Sequence, residues 1–228
     1  MFLIDFQRIK IFFNLINFSE RTVKKMNTGI NKEGFGAWRA EEEFSKVLGR
    51  HDDFSNTARE AAKVLAERCE EYVLGINSEE ILIVPVLRAG KALQKTFFEK
   101  FPGARLGLIN IESGSLLTAC SYKPRKVIIL EPMIATGGSV KQAAQEIIKA
   151  TGVCPGDIIV CSVFSSREGG ESLIKEFPGL KLITLSGDHR LNDNGYILIP
   201  NGQGGFYSFD FSDGGEELWI SRPGSRSR

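Results

Sequence analysis

The stretch "KVIILEPMIATGGSVKQAAQEIIKA" spans residues 126 to 150, and its reading decides the fold. It opens on an uninterrupted apolar run, "VIIL", which suits a strand covered on both faces. One acid follows, Glu131, and then a loop of small residues with two glycines. Beyond the loop, Val140, Ala143, Ala144, Ile147 and Ile148 recur at i, i+3, i+4, i+7 and i+8, the apolar stripe of a helix. Ser139 and Gln142 have the S-x-x-Q spacing of a capping box. The pattern therefore predicts strand, tight turn and a helix beginning near Ser139.

Read outward, the same alternation repeats. "SNTAREAAKVLAERCEEYVL" (55–74) is a helix with Ala58, Ala61, Ala62, Leu65 and Cys69 on one face. "ILIV" (81–84) is a strand, "PVLRAG" a loop, and "KALQKTFFEKF" a helix. "ARLGLINI" (104–111) is a strand. "DIIVCSVF" (157–164) is a strand, "SSREGG" a loop, "ESLIKEF" a short helix and "KLITL" (181–185) a strand. Alternating strands and helices imply βαβ units and a parallel sheet. Because such crossovers share one hand, the strand-to-helix loops gather at one sheet edge. "PVLRAG", "EPMIATGGS" and "SSREGG" are thus expected to line one crevice. The fold class is α/β, a parallel-sheet core flanked by helices.

Composition agrees with a globular domain: 228 residues, 42% hydrophobic and 25% charged. The net charge of +1 gives no bulk attraction for nucleic acid or an anionic membrane, so any phosphate must be held by local geometry. Cys69, Cys120, Cys154 and Cys161 form no CxxC pair, which argues for free thiols over a zinc site. The N-terminal stretch is rich in Phe and Ile, yet Asp5, Arg8 and Lys10 break it into pieces too short for a membrane span. Residues 1–30 read as an extension, 31–220 as a single domain and 221–228 as a disordered tail. Cytoplasm is the default compartment.

The loop after Glu131 carries the chemistry. Glycines before a helix let backbone N–H groups approach a ligand, and a helix N-terminus binds phosphate. A bare strand-to-helix turn has the same composition, so the loop alone decides nothing. No GK[ST] follows, which excludes a Walker A loop, and no G-x-G-x-x-G opens a helix after a strand. Glu131 would repel phosphate, but it would accept hydrogen bonds from hydroxyls or from a Mg2+-bound water. A sugar phosphate presents both needs at once.

"EPMIATGGS" (131–139) resembles the phosphoribosyl-diphosphate (PRPP) loop of type I phosphoribosyltransferases, in the version carried by uracil phosphoribosyltransferases. "VPVLRAG" (84–90) resembles that family's pyrophosphate-side loop, and "GDHRLNDNGYILIP" (187–200) the segment leading to its uracil pocket. The three occur in the family's order, within a match running from about residue 45 to 206.

The resemblance implies a type I phosphoribosyltransferase-like fold with a small C-terminal hood of β structure. It implies transfer of phosphoribosyl from PRPP to uracil, giving UMP and pyrophosphate, as in pyrimidine salvage. The PRPP-binding residues it implies are Arg88, Glu131, Pro132, Met133, Ile134, Ala135, Thr136, Gly137, Gly138 and Ser139. Within these, Arg88 meets pyrophosphate and Glu131 the ribose hydroxyls, the two catalytic roles. Tyr196, Ile197, Ile199, Gly202 and Gly204 are implied for the base. Asp188 is a candidate to orient the base-side loop or a water, with a solvated turn aspartate as the other reading. For Arg88 the other reading is a surface salt bridge, and for Tyr196 it is core packing. Mg2+ would arrive on the pyrophosphate, with no direct protein ligand. A homodimer or higher homo-oligomer and a GTP effector are further implications; nucleic-acid and membrane partners are not expected.

Two segments depart from the family. Where uracil enzymes carry a loop resembling "PGLGDAGDR", this chain has "NGQGGFYSFDF". Where they carry a "YRNE"-like arm over pyrophosphate, this chain has "ESGS", with Ser113 at the Arg position. The departures leave two alternatives open: a PRPP- or nucleotide-binding regulatory protein with weak turnover, and a transferase for another nucleobase.

Overall fold

The computed structural model describes residues 54–111, 115–118, 123–200, 206–209 and 218–221, which fall in one compact unit. The element order is α1 (Phe54–Glu70), β1 (Ile81–Leu87), α2 (Lys91–Lys100), β2 (Arg105–Asn110), β3 (Ser115–Thr118), β4 (Lys126–Leu130), β5 (Met133–Ile134), α3 (Gly138–Thr151), β6 (Ile158–Ser166), α4 (Arg167–Glu176), β7 (Lys181–Leu191), β8 (Ile197–Pro200), β9 (Phe206–Phe209) and β10 (Leu218–Ser221). The sheet runs β10-β9-β8-β7-β6-β4-β1-β2-β3. Its centre, β2-β1-β4-β6-β7, is parallel. Antiparallel strands finish both ends: β3 on one side, and β8, β9 and β10 on the other. These last three are the expected hood of β structure.

The apolar runs are explained by cover on both faces. Ile81, Ile83, Ile128, Leu130, Ile159 and Cys161 point to one side, where Ala61, Ala62, Leu65 and Cys69 of α1 and Leu93 and Phe97 of α2 pack on them. Leu82, Val84, Val86, Val127, Ile129, Ile158 and Val160 point to the other, against Val140, Ala143, Ala144 and Ile147 of α3 and Leu173 of α4. Each fully buried Leu or Ile contributes roughly 1.5–3 kcal/mol relative to exposure. Ala58, expected on the same face as Ala61, lies outside the residues whose side chains are described.

Strands run past the sequence reading in three places, and α1 stops at Glu70 rather than at Leu74. β1 runs through "PVL", with Pro85 in register with Leu130. β6 takes in Ser165 and Ser166, and α4 begins at Arg167, so "SSREGG" is a strand end and a helix start rather than a loop. β7 extends from "KLITL" to Leu191, so Asp188 lies within a strand rather than in a turn after it. In each case tertiary pairing carried the strand past the apolar run that announced it.

No helix among the described residues is long and apolar enough to cross a membrane.

Candidate active site

The C-terminal ends of β1, β4 and β6 bring three chain segments together. Arg88 follows β1, and the backbone at Gly90 closes on the end of β4. A Cβ on Gly90 would collide with the Leu130 carbonyl and come within 2.6 Å of the Val86 nitrogen. Only glycine admits that approach. The Leu87–Arg88 peptide is cis. Arg88 is exposed and pairs with no carboxylate among the described residues, against the surface-salt-bridge reading.

Glu131 sits at the mouth of β4 with 8% of its surface exposed. Its N–H donates to the Cys161 carbonyl at 3.1 Å, which anchors its backbone to β6. Its Oε1 accepts a long bond from the Met133 N–H, at 3.5 Å. Burial pushes the carboxyl up to about 8, and that one bond only partly offsets it. Below that value the carboxyl keeps its proton, so it can both donate to and accept from incoming hydroxyls.

The residues after Glu131 divide by what their backbone does. The Pro132 carbonyl accepts from the Val163 and Phe164 amides at 3.0 and 2.9 Å, and from the Ser162 hydroxyl at 3.2 Å. Met133 and Ile134 form β5 and pair with β6. These three are bound to the sheet. Thr136, Gly138 and Ser139 are exposed, and Gly137 lies buried between them at φ +80°. The first intrahelical bond of α3 joins the Lys141 N–H to the Gly137 carbonyl at 3.0 Å. The amides of Gly138, Ser139 and Val140 therefore stand at the open end of the helix, the arrangement that receives anions.

The capping box is corrected. Gly137 in the left-handed region is the N-cap, with no side-chain cap bond. Gln142 turns away from the helix end and donates to the Ile111 carbonyl at 3.0 Å. A glycine cap keeps the helix entrance clear of the side chain that a capping serine would place there.

The turn between β7 and β8 is closed by Asn192. Its Oδ1 accepts from the Asn194 and Tyr196 amides at 3.0 and 2.9 Å, and its own N–H donates to the Tyr196 carbonyl at 2.9 Å. Tyr196 therefore spends its backbone groups inside the turn. The residue is 39% exposed, against the core-packing reading, whereas Ile197 is buried in the core. Gly195, at φ +81°, comes up beside Thr136: a Cβ there would lie 3.9 Å from the Thr136 methyl group. This turn thus borders the glycine loop. Ile199 lies on β8, in register with Tyr207 of β9. Gly202, Gly204 and Ser113 lie outside the described residues.

Several residues at this edge were not singled out from the sequence. Ser186 and His189, both buried, bond through Oγ and Nε2 at 2.8 Å, and the imidazole stands edge-on to Phe164 at 5.8 Å. Ser166 and Gly169, at the start of α4, hold the glycine loop from beneath. Asn192 could have been found from the turn signature "NDNG"; the other contacts join residues from separate elements or a register shift, and no local pattern announces them. Among the described residues no group of three or more His, Cys, Asp or Glu could hold a metal.

A family model described as uracil phosphoribosyltransferase matches residues 51–206. The uracil phosphoribosyltransferase of Dictyoglomus thermophilum is 35% identical over 139 residues, covering 57% of this chain and 66% of that protein. The uracil phosphoribosyltransferase of Aquifex aeolicus is 32% identical over 131 residues, covering 54% and 62%. The chain thus spans slightly less than two thirds of the length of these relatives. Among solved structures, the AQ2163 protein from Aquifex aeolicus superposes with a TM-score of 0.55 at 25% identity, over 68% of this chain and 85% of that one.

Proposed function

We propose a function from one premise: the chain belongs to the uracil phosphoribosyltransferase family. On that premise it transfers the 5-phosphoribosyl group of PRPP to a ring nitrogen of uracil, releasing pyrophosphate and leaving UMP. The observation that carries this is the pairing, at one sheet edge, of an open helix end with a buried acid. The amides of Thr136 to Ser139 suit a 5′-phosphate, and Glu131 suits the ribose hydroxyls one sugar ring away.

The remaining roles follow from position. Arg88, exposed at the end of β1, offers a planar guanidinium to the departing pyrophosphate. Charge builds on that group as the glycosidic bond breaks, so a fixed cation there stabilises the transition state more than the ground state. Mg2+ belongs to the substrate, as the PRPP complex. It needs few protein ligands because pyrophosphate oxygens and water fill most of its sites. Glu131 can accept from one of its waters. Tyr196 follows Gly195 in the turn that borders the glycine loop, and the ring of this exposed residue would offer a flat face to the pyrimidine. A cytoplasmic homodimer responsive to GTP is part of the same proposal.

The test is direct. The full chain is incubated with Mg2+ and PRPP and with each common nucleobase in turn, and pyrophosphate release is followed. Turnover with uracil alone supports the proposal. Turnover with a different base reassigns specificity. Saturable PRPP binding without turnover favours a regulatory role, the reading that Ser113 and the altered "NGQGG" loop would then support.

A further inference from the structure

We infer that Ser166 and Gly169 are positioning residues: together they seat the Ala135 carbonyl and so aim the Thr136 amide at the ligand's phosphate. This rests on the PRPP reading of the loop.

Ser166 is the N-cap of α4, and its hydroxyl does two things at once. It accepts from the Gly169 N–H at 2.9 Å, the ordinary capping bond. It also donates to the Ala135 carbonyl, across 31 positions of sequence. A hydroxyl has one proton, so the amide from Gly169 leaves that proton to Ala135 and fixes the direction of the chain of bonds. Ser166 is fully buried, so no water competes for it.

Gly169 provides the space. A Cβ on it would occupy the place of the Ala135 oxygen and come within 3.1 Å of the Ile134 side chain. From the other side, a Cβ on Gly137 would lie 3.0 Å from the Gly169 carbonyl. Two glycines thus face each other where the loop rests on the helix. Neighbouring contacts keep the two helices together: Lys141 of α3 reaches the Ser172 hydroxyl at 2.6 Å and Glu176 at 3.1 Å, and Gln145 reaches Glu176 at 2.8 Å.

The consequence is a matter of peptide geometry. In a planar trans peptide the C=O of one residue and the N–H of the next point in opposite directions. Once the Ala135 carbonyl is drawn down onto Ser166, the Thr136 N–H must point up, away from α4. A helix cap alone would need only the bond from Gly169.

The test compares Ser166→Ala and Gly169→Ala with wild type. For Ser166→Ala the KM for PRPP rises about fivefold while that for uracil stays within about twofold, the scale of one lost hydrogen bond at the phosphate end. Gly169→Ala, whose methyl group meets backbone rather than a flexible side chain, gives a larger rise. In both, the amides of 135–139 exchange faster with deuterium. If Gly169→Ala does not fold, Ser166→Ala decides alone. A folded Ser166→Ala variant with wild-type KM for PRPP, or with both KM values raised in step, overturns the inference. Wild-type protein that ignores PRPP refutes the substrate assignment instead. The seat is then judged on deuterium exchange, and wild-type exchange in Ser166→Ala overturns it.

Discussion

Gly90 and Leu130 meet backbone to backbone: the space a side chain on Gly90 would need is filled by the Leu130 carbonyl oxygen. This contact holds the Arg88 loop against the strand end that carries Glu131. It follows that Gly90→Ala forces the two apart. The Val86 nitrogen and oxygen, at 2.6 and 2.7 Å from the added carbon, are also backbone and cannot yield cheaply. Overpacking of this kind costs about 1–3 kcal/mol. Thermal denaturation should show a lower Tm, and PRPP affinity should fall with it. A variant as stable as wild type, with unchanged affinity, would contradict the close approach.

Arg88 is predicted to act on catalysis without acting on stability. It is exposed and has no ion-pair partner among the described residues, so Arg88→Ala should leave Tm unchanged. Loss of a charge-assisted contact to pyrophosphate, about 1.5–3 kcal/mol, should lower kcat/KM for PRPP by more than about tenfold. Arg88→Lys should recover only part of that, since an ammonium cannot offer two parallel donors. Steady-state kinetics over a range of PRPP concentrations check both.

Glu131 gives a pH prediction. Its carboxyl titrates near 4.5 when unfolded and at about 8 in the folded chain, because burial penalises the charge. Between these values the folded state holds a proton that the unfolded state has released. Stability therefore falls as pH rises through that window, and the slope vanishes above it. Glu131→Gln removes the titration while keeping the shape. Melting curves from pH 5 to 9 should show a decline in wild type that is shallower in Glu131→Gln. Parallel declines would place the ionisation elsewhere.

Gly137→Ala tests the helix entrance. At φ +80° an alanine is strained by about 1–2 kcal/mol, before any contact is counted. The added carbon would also lie 3.0 Å from the Gly169 carbonyl. The variant should bind PRPP weakly and melt earlier. Gly152→Ala at the far end of the same helix, with φ +67° and nothing within 4 Å, should melt earlier but bind PRPP as wild type does. Calorimetric titration with PRPP separates the two.

What the sequence made legible was whatever depends on local pattern. Val127 to Leu130 could be read as a strand because both faces are covered, and Val140 to Ile147 as a helix because one face is. The order of strand, acid, glycines and helix placed Glu131 and Thr136 at the same edge. What depends on distant partners was not legible. Pro85 stays in its strand because Leu130 pairs with it, and Ser166 because β7 runs alongside. Gln142 had capping-box spacing, yet the Ile111 carbonyl, 31 residues away, claims its side chain. Whether Tyr196 packs in the core or stands exposed depends on its surroundings in the fold: it lies exposed, in the turn closed by Asn192. The seat under Ala135 joins the glycine loop to the start of α4, and no spacing rule connects them.

The most direct test of the account is a structure of the protein with PRPP and Mg2+ bound. The account predicts the 5′-phosphate within hydrogen-bonding reach of the Thr136, Gly137, Gly138 and Ser139 amides, with the ribose hydroxyls on Glu131. A phosphate bound elsewhere, with those amides still facing solvent, would contradict it.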